Sequence, residues 1–431
     1  MSTVISGNRT EWFGKLSDDA ELSRVGINYM IILGKMLTSE PKDDQYSLEN
    51  YYCAANVHFD RIISEDLKQM WFSQKEKEQY LVNTGDLLIV EGGAGAGGCS
   101  VVTKVDDPIY IQNSIMIVRG KNGNSTVFLK YVIEYLVKGG YVDVVCNKAT
   151  IPHFTKDKLS QTPFPLFSVI KQYRIAEFLD RKCAEIDSVI SKTKATIEQY
   201  KSLKQSVITQ AVTKGIRTDR PMKDSGIEWI GEIPQEWSKD KVFRSFSIIG
   251  SGTTPKSSDD SNYEGNINWI QSGDINGEVL LSVKKHLSYE AVKEYSALRL
   301  YSSPFIVIAM YGASIGNLSI SEIDSCVNQA CCVLAEPKIR IKYAFYSIKA
   351  AKDYLITKAV GGGQPNISQD IVKSLWLPIP PVQEQQEISD YLDRKSAEID
   401  SLIAAKEQLL TELESYKKSV IYEYVTGKKE V

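Results

Sequence analysis

Residues 178–190 read Phe-Leu-Asp-Arg-Lys-Cys-Ala-Glu-Ile-Asp-Ser-Val-Ile, and residues 391–403 read Tyr-Leu-Asp-Arg-Lys-Ser-Ala-Glu-Ile-Asp-Ser-Leu-Ile. Ten of the thirteen positions are identical, at a spacing of 213 residues (391 minus 178). The same spacing carries Pro152 onto Pro365, and the match runs without gaps over about sixty residues. A match of this length indicates that the chain consists of one unit written twice.

The parts that precede these segments match more loosely. Residues 32–38 align with residues 248–254, and Asn113 aligns with Asn328. Each half therefore consists of a divergent globular part, called the head below, followed by a closely matched tail. Similarity in the tails beside divergence in the heads indicates a shared architecture for the tails and different tasks for the two heads.

Each tail is predicted to be a long α-helix. Residues 171–211 contain no Gly or Pro, and Pro165 and Gly215 bracket them, as expected at helix boundaries. Two seams repeat every seven residues in each tail, which is the coiled-coil pattern. The seam positions are Leu179, Ile186, Thr193, Tyr200, Val207, Cys183, Ile190, Ile197, Lys204 and Ala211 in the first tail, and Leu392, Ile399, Lys406, Leu413, Val420, Ser396, Ile403, Leu410, Lys417 and Tyr424 in the second.

The two helices are predicted to pair with each other in antiparallel orientation. Their seams are alike, a lysine occupies the same point of each (Lys204 and Lys417), and the chain must return after the first helix. In the alternative arrangement, each helix packs on its own head. The two arrangements differ in whether side chains of one helix contact the other helix.

Both heads are predicted to be mixed α/β, with short apolar strands such as residues 86–90 and 305–309 and helices near 127–138 and 342–356. The predicted fold class is α/β (mixed α+β), with two pseudo-repeated globular domains joined by two long antiparallel coiled-coil helices. The predicted boundaries are 1–168 for the first head, 169–215 for the first long helix, 216–235 for a hinge-like linker, 236–381 for the second head and 382–428 for the second long helix.

The composition, 43% hydrophobic and 24% charged, is that of a folded globular protein. No apolar run approaches the roughly 18 residues of a membrane-spanning helix, and the first ten residues lack the profile of a secretory signal. The seven cysteines form no Cys-x-x-Cys pair, so reduced thiols are expected rather than disulfides or zinc ligands. We therefore expect a cytoplasmic protein with no membrane partner.

The formal net charge of −3 argues against a protein that binds nucleic acid alone. Phosphate contacts need Lys and Arg, and a stand-alone DNA-binding protein is usually basic. If DNA is the ligand, the positive charge must be concentrated on one face or supplied partly by partner subunits.

A glycine-rich string, residues 92–98, reads Gly-Gly-Ala-Gly-Ala-Gly-Gly and follows an apolar strand. It contains Gly-x-Gly-x-x-Gly, but a dinucleotide site requires a helix next, and residues 100–103 predict a strand. A hairpin turn is therefore favoured, and residues 311–316 (Tyr-Gly-Ala-Ser-Ile-Gly) have the same form. Such turns allow a phosphodiester to approach the backbone closely.

Three further turns carry polar side chains suited to nucleic acid. Residues 358–368 read Lys-Ala-Val-Gly-Gly-Gly-Gln-Pro-Asn-Ile-Ser and offer amides for adenine edges and donors for phosphate. Residues 148–155 are their counterpart, and residues 250–256 with 269–274 form the third group. The alternative at each is a polar loop with a structural role only. The candidate DNA contacts are Thr253, Thr254, Lys256, Gln271, Tyr311, Lys358, Gln364, Asn366 and Ser368 in the second half and Gly93, Gly95, Lys148, Thr150, His153 and Thr155 in the first.

No constellation in the sequence carries catalysis. A P-loop is absent, and Gly312-Ala-Ser-Ile-Gly316 matches Gly-x-Ser-x-Gly without the helix of a hydrolase elbow after it. The three histidines are isolated and lack zinc spacing, so no metal site is predicted. We therefore predict a non-catalytic chain. Two alternatives stay open: a nucleotide-binding enzyme that uses residues 92–98 and needs a helix after Cys99, and a coiled-coil scaffold without a nucleic acid role.

Several segments together resemble the specificity (S) subunits of type I restriction–modification systems, over essentially the whole chain. They are Asp224-Ser-Gly-Ile-Glu-Trp-Ile-Gly-Glu-Ile-Pro-Gln-Glu-Trp237, Gly252-Thr-Thr-Pro-Lys256, Gly361-Gly-Gly-Gln-Pro-Asn-Ile-Ser368, Leu377-Pro-Ile-Pro-Pro381 with Gln383-Glu-Gln385, and the two Leu-Asp-Arg-Lys-x-Ala-Glu-Ile-Asp helices.

This resemblance implies two target-recognition domains, each of which reads one half of a bipartite, asymmetric sequence in double-stranded DNA. It also implies that the long helices set the spacer and dock two methyltransferase (M) subunits. Those partners would bind S-adenosylmethionine and methylate adenine, motor–endonuclease (R) subunits would cut, and this chain would bind no cofactor itself. The first head departs from the pattern, because residues 148–155 replace the Gly-Gly-Gln-Pro-Asn-Ile-Ser loop.

Overall fold

The computed structural model describes residues 12–59, 61–146, 152–361 and 365–431. The chain divides into two compact units, one formed by Met1–Lys194 with Gln408–Val431 and the other by Ala195–Glu407. They are called unit 1 and unit 2 below. Because the division falls inside both long helices, each helix contributes one end to each unit.

Unit 1 contains the first head. Its strands are β1 (Glu21–Arg24), β2 (Tyr29–Leu33), β3 (Ser47–Tyr52), β4 (Lys68–Phe72), β5 (Leu87–Val90), β6 (Cys99–Val101), β7 (Tyr110–Ile111), β8 (Ile115–Gly120) and β9 (Pro163–Leu166). Its helices are α1 (Val25–Asn28), α2 (Gln74–Tyr80), α3 (Thr126–Lys138), α4 (Tyr141–Val145), α5 (Lys156–Gln161) and the long helix α6 (Val169–Lys214), which continues into unit 2.

The core of unit 1 lies between an antiparallel sheet, in the order β2-β8-β5-β6, and helix α3. All four residues of β5 are buried, as expected for a central strand that is covered on both faces. Helix α3 begins where the Ser125 hydroxyl accepts a hydrogen bond from the Phe128 N–H at 3.2 Å, and its buried residues Phe128, Val132 and Leu136 recur every four positions. Leu129, Tyr131 and Ile133 are buried as well, so α3 is covered on more than one face.

Unit 2 contains the second head. Its strands are β10 (Met222–Asp224), β11 (Glu232–Pro234), β12 (Ser238–Lys241), β13 (Phe246–Gly250), β14 (Ile267–Ile270), β15 (Val279–Leu280), β16 (His286–Leu287), β17 (Phe305–Ala309), β18 (Leu318–Ser321), β19 (Ser325–Val327), β20 (Cys331–Pro337) and β21 (Trp376–Ile379). Its helices are α7 (Val242–Ser245), α8 (Tyr289–Glu294), α9 (Ile341–Ala350), α10 (Lys352–Thr357), α11 (Gln369–Ser374) and the long helix α12 (Val382–Val425), which ends in unit 1.

The two heads share one topology although their sequences have diverged. The order β2-β8-β5-β6 of unit 1 is repeated as β13-β20-β17-β18 in unit 2, where β15 is added at the edge. A second sheet, β4-β3-β7, is repeated as β16-β14-β19, and in both the last two strands are parallel. The predicted class, a mixed α/β fold with two pseudo-repeated heads and two long helices, is confirmed.

The two long helices are antiparallel within unit 1. The rings of Phe178 and Tyr424 lie 4.3 Å apart, and Lys417 Nζ lies 2.7 Å from both carboxylate oxygens of Asp187. The residue numbers of the two contacting pairs add up to nearly the same value, 602 (178 plus 424) and 604 (187 plus 417). A constant sum means that one helix runs up while the other runs down. The predicted antiparallel pairing is therefore confirmed in this unit.

The same register holds within unit 2. Lys204 Nζ on α6 donates to Asp400 Oδ2 on α12 at 2.7 Å, and Arg217, three residues beyond the end of α6, donates through Nη2 to Glu387 Oε2 at 2.7 Å. Both sums are 604 (204 plus 400, and 217 plus 387). A shift of 213 residues converts Lys204 into Lys417 and Asp187 into Asp400. The two ion pairs are therefore repeats of each other: the lysine lies on α6 in unit 2 and on α12 in unit 1.

Each long helix also packs on a head, so the two arrangements considered from the sequence occur together. In unit 1 the Tyr131 hydroxyl on α3 donates to Asp180 Oδ1 at 2.7 Å, and in unit 2 the Tyr346 hydroxyl on α9 donates to Asp393 Oδ1 at 2.8 Å. Both aspartates belong to the repeated Leu-Asp-Arg-Lys segment. The duplication therefore preserves the contact between head and helix as well as the contact between helices.

The segment predicted as a hinge-like linker forms an antiparallel hairpin of β10 and β11. Ile230 and Ile233 are buried and join Trp237 in the core of unit 2, together with Ile208 and Val212 at the end of α6. The hinge expectation is therefore wrong for this segment: hydrophobic burial fixes it to the unit, and Gly231, with φ of +65°, provides the turn.

The seven cysteines are free thiols, and burial raises the pKa of Cys326 to about 11 and that of Cys332 to about 12, so these thiols stay protonated. Among the described residues, no group of three or more His, Cys, Asp or Glu side chains is placed to hold a metal ion. In the same part of the chain, no helix is both long enough and apolar enough to cross a membrane.

Candidate nucleic-acid interface

The two glycine-rich turns have the same conformation. In each, two glycines four residues apart have positive φ: +92° and +84° at Gly93 and Gly97, and +81° and +74° at Gly312 and Gly316. The N–H of the second glycine donates to a carbonyl of the preceding strand, at 2.9 Å in unit 1 and 2.8 Å in unit 2. Strands β6 and β18 follow directly. The hairpin prediction is confirmed, and the helix that a dinucleotide site needs after Cys99 is replaced by a strand.

In unit 1 this turn is hydrogen-bonded to the loop that precedes α5. The Phe154 N–H donates to the Glu91 carbonyl at 2.6 Å, and the Gly93 N–H donates to the Pro152 carbonyl at 3.2 Å. The side chain of His153, between these contacts, is exposed. Two loops that lie sixty residues apart in sequence (153 minus 93) therefore form one surface.

The equivalent contacts occur in unit 2. The Ile367 N–H donates to the Met310 carbonyl at 2.8 Å, and a β-bridge joins Tyr311 to Asn366. Asn366 also exchanges two backbone hydrogen bonds of 3.1 Å with Val360. The turn of residues 311–316 and the loop before α11 therefore form one surface here as well.

Residues 328–330, between β19 and β20, connect this surface to a third loop, residues 251–256. The Ala330 carbonyl accepts from the N–H of Met310, the first residue after β17, at 2.8 Å. The Asn328 N–H donates to the Ile270 carbonyl at 3.0 Å. The Thr254 hydroxyl donates to Gln329 Oε1 at 2.6 Å. Residues 328–330 therefore contact the loop of residues 251–256 and the residue before the glycine-rich turn, and the turn itself contacts the loop before α11.

Unit 1 has a counterpart of this connection at residues 112–114. The Ser114 carbonyl accepts from the Glu91 N–H at 2.8 Å, and the Asn113 N–H donates to the Lys35 carbonyl at 2.8 Å. In unit 1 a backbone hydrogen bond thus holds the loop after β2, whereas in unit 2 the Asn328 N–H bonds the end of β14 and side-chain contacts with Gln329 hold the loop of residues 251–256. The same three elements therefore meet in both heads, but the first loop is attached differently.

The candidate residues of the second half divide into exposed groups and capping groups. Thr254, Lys256, Lys358 and Asn366 are exposed, whereas Thr253 and Tyr311 are half-buried. The Ser368 hydroxyl caps α11 by accepting from the Ile371 N–H at 3.3 Å, and the Gln271 N–H donates to Asp274 Oδ2 at 2.9 Å at the start of the 3₁₀ turn Ser272–Asp274. Gln364 lies outside the described residues.

The candidate residues of the first half divide in the same way. Gly95 and His153 are exposed, and Gly93 is half-buried in the turn. The Thr155 hydroxyl caps α5 by accepting from the Lys158 N–H at 3.5 Å, so it has a structural partner. Lys148 and Thr150 lie outside the described residues.

Reasoning from the sequence missed three exposed residues on this surface. Gln329 is exposed at the point where the loops of unit 2 meet. In unit 1, Met36 and Leu37 lie in the loop after β2 and are 74% and 63% exposed. Single polar or apolar residues in loops carry no sequence signal, and only the contacts of residues 328–330 and 112–114 place them here.

Replacing Gly97 by Ala is expected to destabilise unit 1 by about 2–5 kcal/mol. A left-handed φ costs a residue with a side chain about 1–2 kcal/mol, and crowding in a packed core adds roughly 1–3 kcal/mol. A Cβ at this position would lie 2.7 Å from a methyl of Val137 and 3.0 Å from one of Val142. The measurement is the melting temperature of the purified chain.

The matched control is Gly93→Ala. Gly93 has a φ of +92°, but nothing lies within 4 Å of a Cβ built there, so we expect only the backbone cost, about 1–2 kcal/mol. Equal shifts in melting temperature for the two variants would contradict the packing role assigned to Gly97.

A family model for the type I restriction modification DNA specificity domain matches residues 38–199 and 235–415, one copy in each half. The chain belongs to this family. The resemblance stated from the sequence is thereby confirmed, and the nucleotide-binding and scaffold alternatives are not favoured.

Relatives of known designation agree with the family model. The type I restriction enzyme MjaVIII specificity subunit of Methanocaldococcus jannaschii is 24% identical over 427 residues, which cover 96% of this chain and 94% of the relative. The type I restriction enzyme EcoBI specificity subunit of Escherichia coli is 25% identical over 309 residues, which cover 67% of this chain and 63% of the relative. The first match spans both heads and both long helices.

Two solved structures share the fold. A chain from a study of complex assembly and conformational transition of the type I R-M system superposes with a TM-score of 0.74 at 15% identity, covering 95% of this chain and 98% of that one. The HsdS subunit from Thermoanaerobacter tengcongensis superposes with a TM-score of 0.53 at 14% identity, covering 97% of this chain and 100% of that one.

Proposed function

We propose that this specificity subunit binds double-stranded DNA through both heads, each head reading one half of a bipartite, asymmetric target. The observation that supports this is the surface formed in each head by a glycine-rich turn, the loop before a short helix and the loop after the first sheet strand. The backbone hydrogen bonds that join the glycine-rich turn to the loop before the short helix and to residues 112–114 or 328–330 are repeated, whereas the exposed side chains differ. Equal frameworks with different side chains are suited to reading two different half-sites.

The chain acts in this proposal as a targeting subunit and performs no chemistry itself. Two methyltransferase subunits bind S-adenosylmethionine and modify adenine, and motor–endonuclease subunits cut; this chain binds no cofactor. The formal net charge of −3 supports such sharing, because partners would supply part of the positive charge that DNA phosphates require. The whole complex would work in the cytoplasm.

The long helices set the spacer between the half-sites and dock the methyltransferase subunits. Both helices run through both units, and side-chain pairs of the same antiparallel register hold them in each unit. A continuous helix has a fixed rise of ~1.5 Å per residue, which makes its length a measure of distance. We keep 1–168 and 236–381 as the bounds of the two recognition domains and 169–215 and 382–428 as those of the helices.

Exchanging residues 1–168 for the first head of another specificity subunit is expected to change one half of the methylated DNA motif and to leave the other half unchanged. The boundary lies directly before α6, so the contacts of the second head remain intact. The measurement is the methylation pattern of host DNA in cells that contain the complete complex.

The reciprocal exchange of residues 236–381 serves as the control and should change only the other half. Motifs that change in both halves after either exchange would contradict independent reading by the two heads. A wild-type complex that leaves no bipartite motif in host DNA would contradict the proposed function itself.

A further inference from the structure

An exposed hydroxyl and an exposed amide form one unit where the loops of the second head meet. The Thr254 hydroxyl lies 2.6 Å from Gln329 Oε1, and both side chains are exposed. They come from loops that are seventy-five residues apart (329 minus 254). We call this unit the Thr254–Gln329 pair.

Packing below the pair holds the Thr254 loop firmly in place. A Cβ on Gly252 would lie 1.7 Å from the Val327 carbonyl oxygen, so only glycine lets the two backbones come this close. The Lys256 N–H donates to the Tyr295 hydroxyl at 3.1 Å, and the Tyr263 hydroxyl donates to the Pro255 carbonyl at 2.8 Å. The hydroxyl of Thr254 is therefore presented on a loop fixed on both sides.

The loop that carries Gln329 is fixed as well. Asn328 is buried, and its Oδ1 accepts from the Ala330 N–H at 3.0 Å, which closes the turn under Gln329. The Asn328 N–H and the Ala330 carbonyl are tied to the second and first sheets of the head, as described above. Two exposed polar groups on fixed loops lose little conformational freedom when they bind a ligand.

The hydrogen bond within the pair determines what the pair offers to a ligand. When the Thr254 hydroxyl donates to the Gln329 carbonyl, the amide NH₂ remains as a donor and the hydroxyl oxygen remains as an acceptor. If the amide is rotated by 180°, the NH₂ donates to the hydroxyl, whose proton then becomes the donor while the amide oxygen becomes the acceptor. In both orientations the pair presents one donor beside one acceptor.

We propose that the Thr254–Gln329 pair reads one adenine in the half-site of the second head, and this inference rests on the proposed function. In the major groove, adenine offers the N6 amino group as donor beside the N7 acceptor, which complements one acceptor beside one donor. Guanine offers two acceptors at N7 and O6, and thymine offers one acceptor beside a methyl group.

Gln329→Glu provides the first test. The carboxylate accepts from Thr254 and has no proton to donate, so the pair then offers acceptors only and loses its partner for adenine N7. We expect the complex of this variant with the methyltransferase subunits to lose preference for adenine at one position of one half-site. Thr254→Val removes the hydroxyl at similar volume and should relax the same position, whereas Thr254→Ser should preserve it.

The measurement is binding of the complete methyltransferase complex to target duplexes in which one adenine at a time is replaced by 7-deazaadenine. Wild type should lose roughly 5- to 150-fold in affinity at one position, the range of a good base contact. The Gln329→Glu complex should be insensitive to the replacement there. Gln235→Glu, at an exposed glutamine directly after β11, is the matched control and should behave as wild type.

Failure of this inference can be distinguished from failure of the proposed function. A wild-type complex that binds a bipartite target, with no second-half position at which Gln329→Glu alters the response to 7-deazaadenine, would overturn the assignment of the pair alone. Loss of sequence-specific binding by wild type itself would overturn the proposed function. If the Glu variant does not assemble, Thr254→Val against Thr254→Ser decides the question by the same replacement series.

Discussion

Replacing Glu384 by Ala is expected to destabilise unit 2 by about 3–5 kcal/mol, the usual cost of removing one partner from a buried ion pair. Glu384 is 4% exposed and lies at the start of α12, where its Oε1 accepts from Arg220 Nη1 at 2.7 Å. Its Oε2 accepts from the indole N–H of Trp237, which is 1% exposed, at 2.9 Å. In the variant, the largely buried Arg220 guanidinium keeps only the exposed Glu236 as an ion-pair partner, and the buried indole N–H of Trp237 loses its acceptor.

Hydrogen exchange followed by mass spectrometry measures this effect region by region. We expect faster exchange at the start of α12 and in the β10–β11 hairpin, since Arg220 joins the two. The control is Glu387→Ala one turn along, whose partner Arg217 is 57% exposed, so the change there should stay below about 1 kcal/mol. Similar exchange rates in the two variants would show that the buried pair does not stabilise this end of the helix.

Removing one heptad from each long helix is expected to shorten the unspecified gap in the DNA target by about three base pairs. Residues 197–203 and 401–407 are the suitable segments, because they face each other in the helix pair: 197 plus 407 and 203 plus 401 both give 604. Removing both segments therefore preserves the antiparallel register seen at Lys204 and Asp400. Seven residues correspond to ~10 Å of helix, and one base pair of DNA corresponds to ~3.4 Å. The original target should then no longer be methylated.

The methylated motif of host DNA measures the change, with both half-sites expected to keep their sequences. Deleting residues 197–203 alone is the matched control, because it moves Lys204 out of register with Asp400 and should disrupt assembly of the helices. An unchanged gap after the paired deletion would mean that the helices do not set the spacer.

The tails could be predicted closely because their interactions are local and repeat along the chain. Seven-residue spacing predicted the helices, and the lysines at the same point of each seam indicated the antiparallel pair in which Lys204 contacts Asp400 and Lys417 contacts Asp187. The glycine-rich turns were predictable for a related reason: residues 100–103 indicated a strand after residues 92–98, and positive φ at Gly93 and Gly97 is what a tight hairpin needs.

The heads were harder to predict because their pairings join distant residues. Strands β14 and β19 are parallel neighbours although some fifty residues separate them, and nothing near either strand indicates the other. The position of Gln329 depends on such pairings, so the residue could not be recognised. A further repeat was also missed: Trp12-Phe13-Gly14 matches Trp229-Ile230-Gly231, and Gly14 and Gly231 share φ values of +60° and +65°.

Unit 1 is built from two stretches that are far apart in sequence, and this affects how the chain folds during synthesis. Val420, Ile421 and Val425 complete the core around Leu179 and Cys183, yet a ribosome makes them more than two hundred residues later. Until the end of α12 is made, the apolar side chains of α6 in this unit are partly uncovered. Folding of the unit is then slowed, because its contacts join residues that are far apart in sequence. Unit 2 is contiguous and can close first, so we infer that the first head made is the last to be completed.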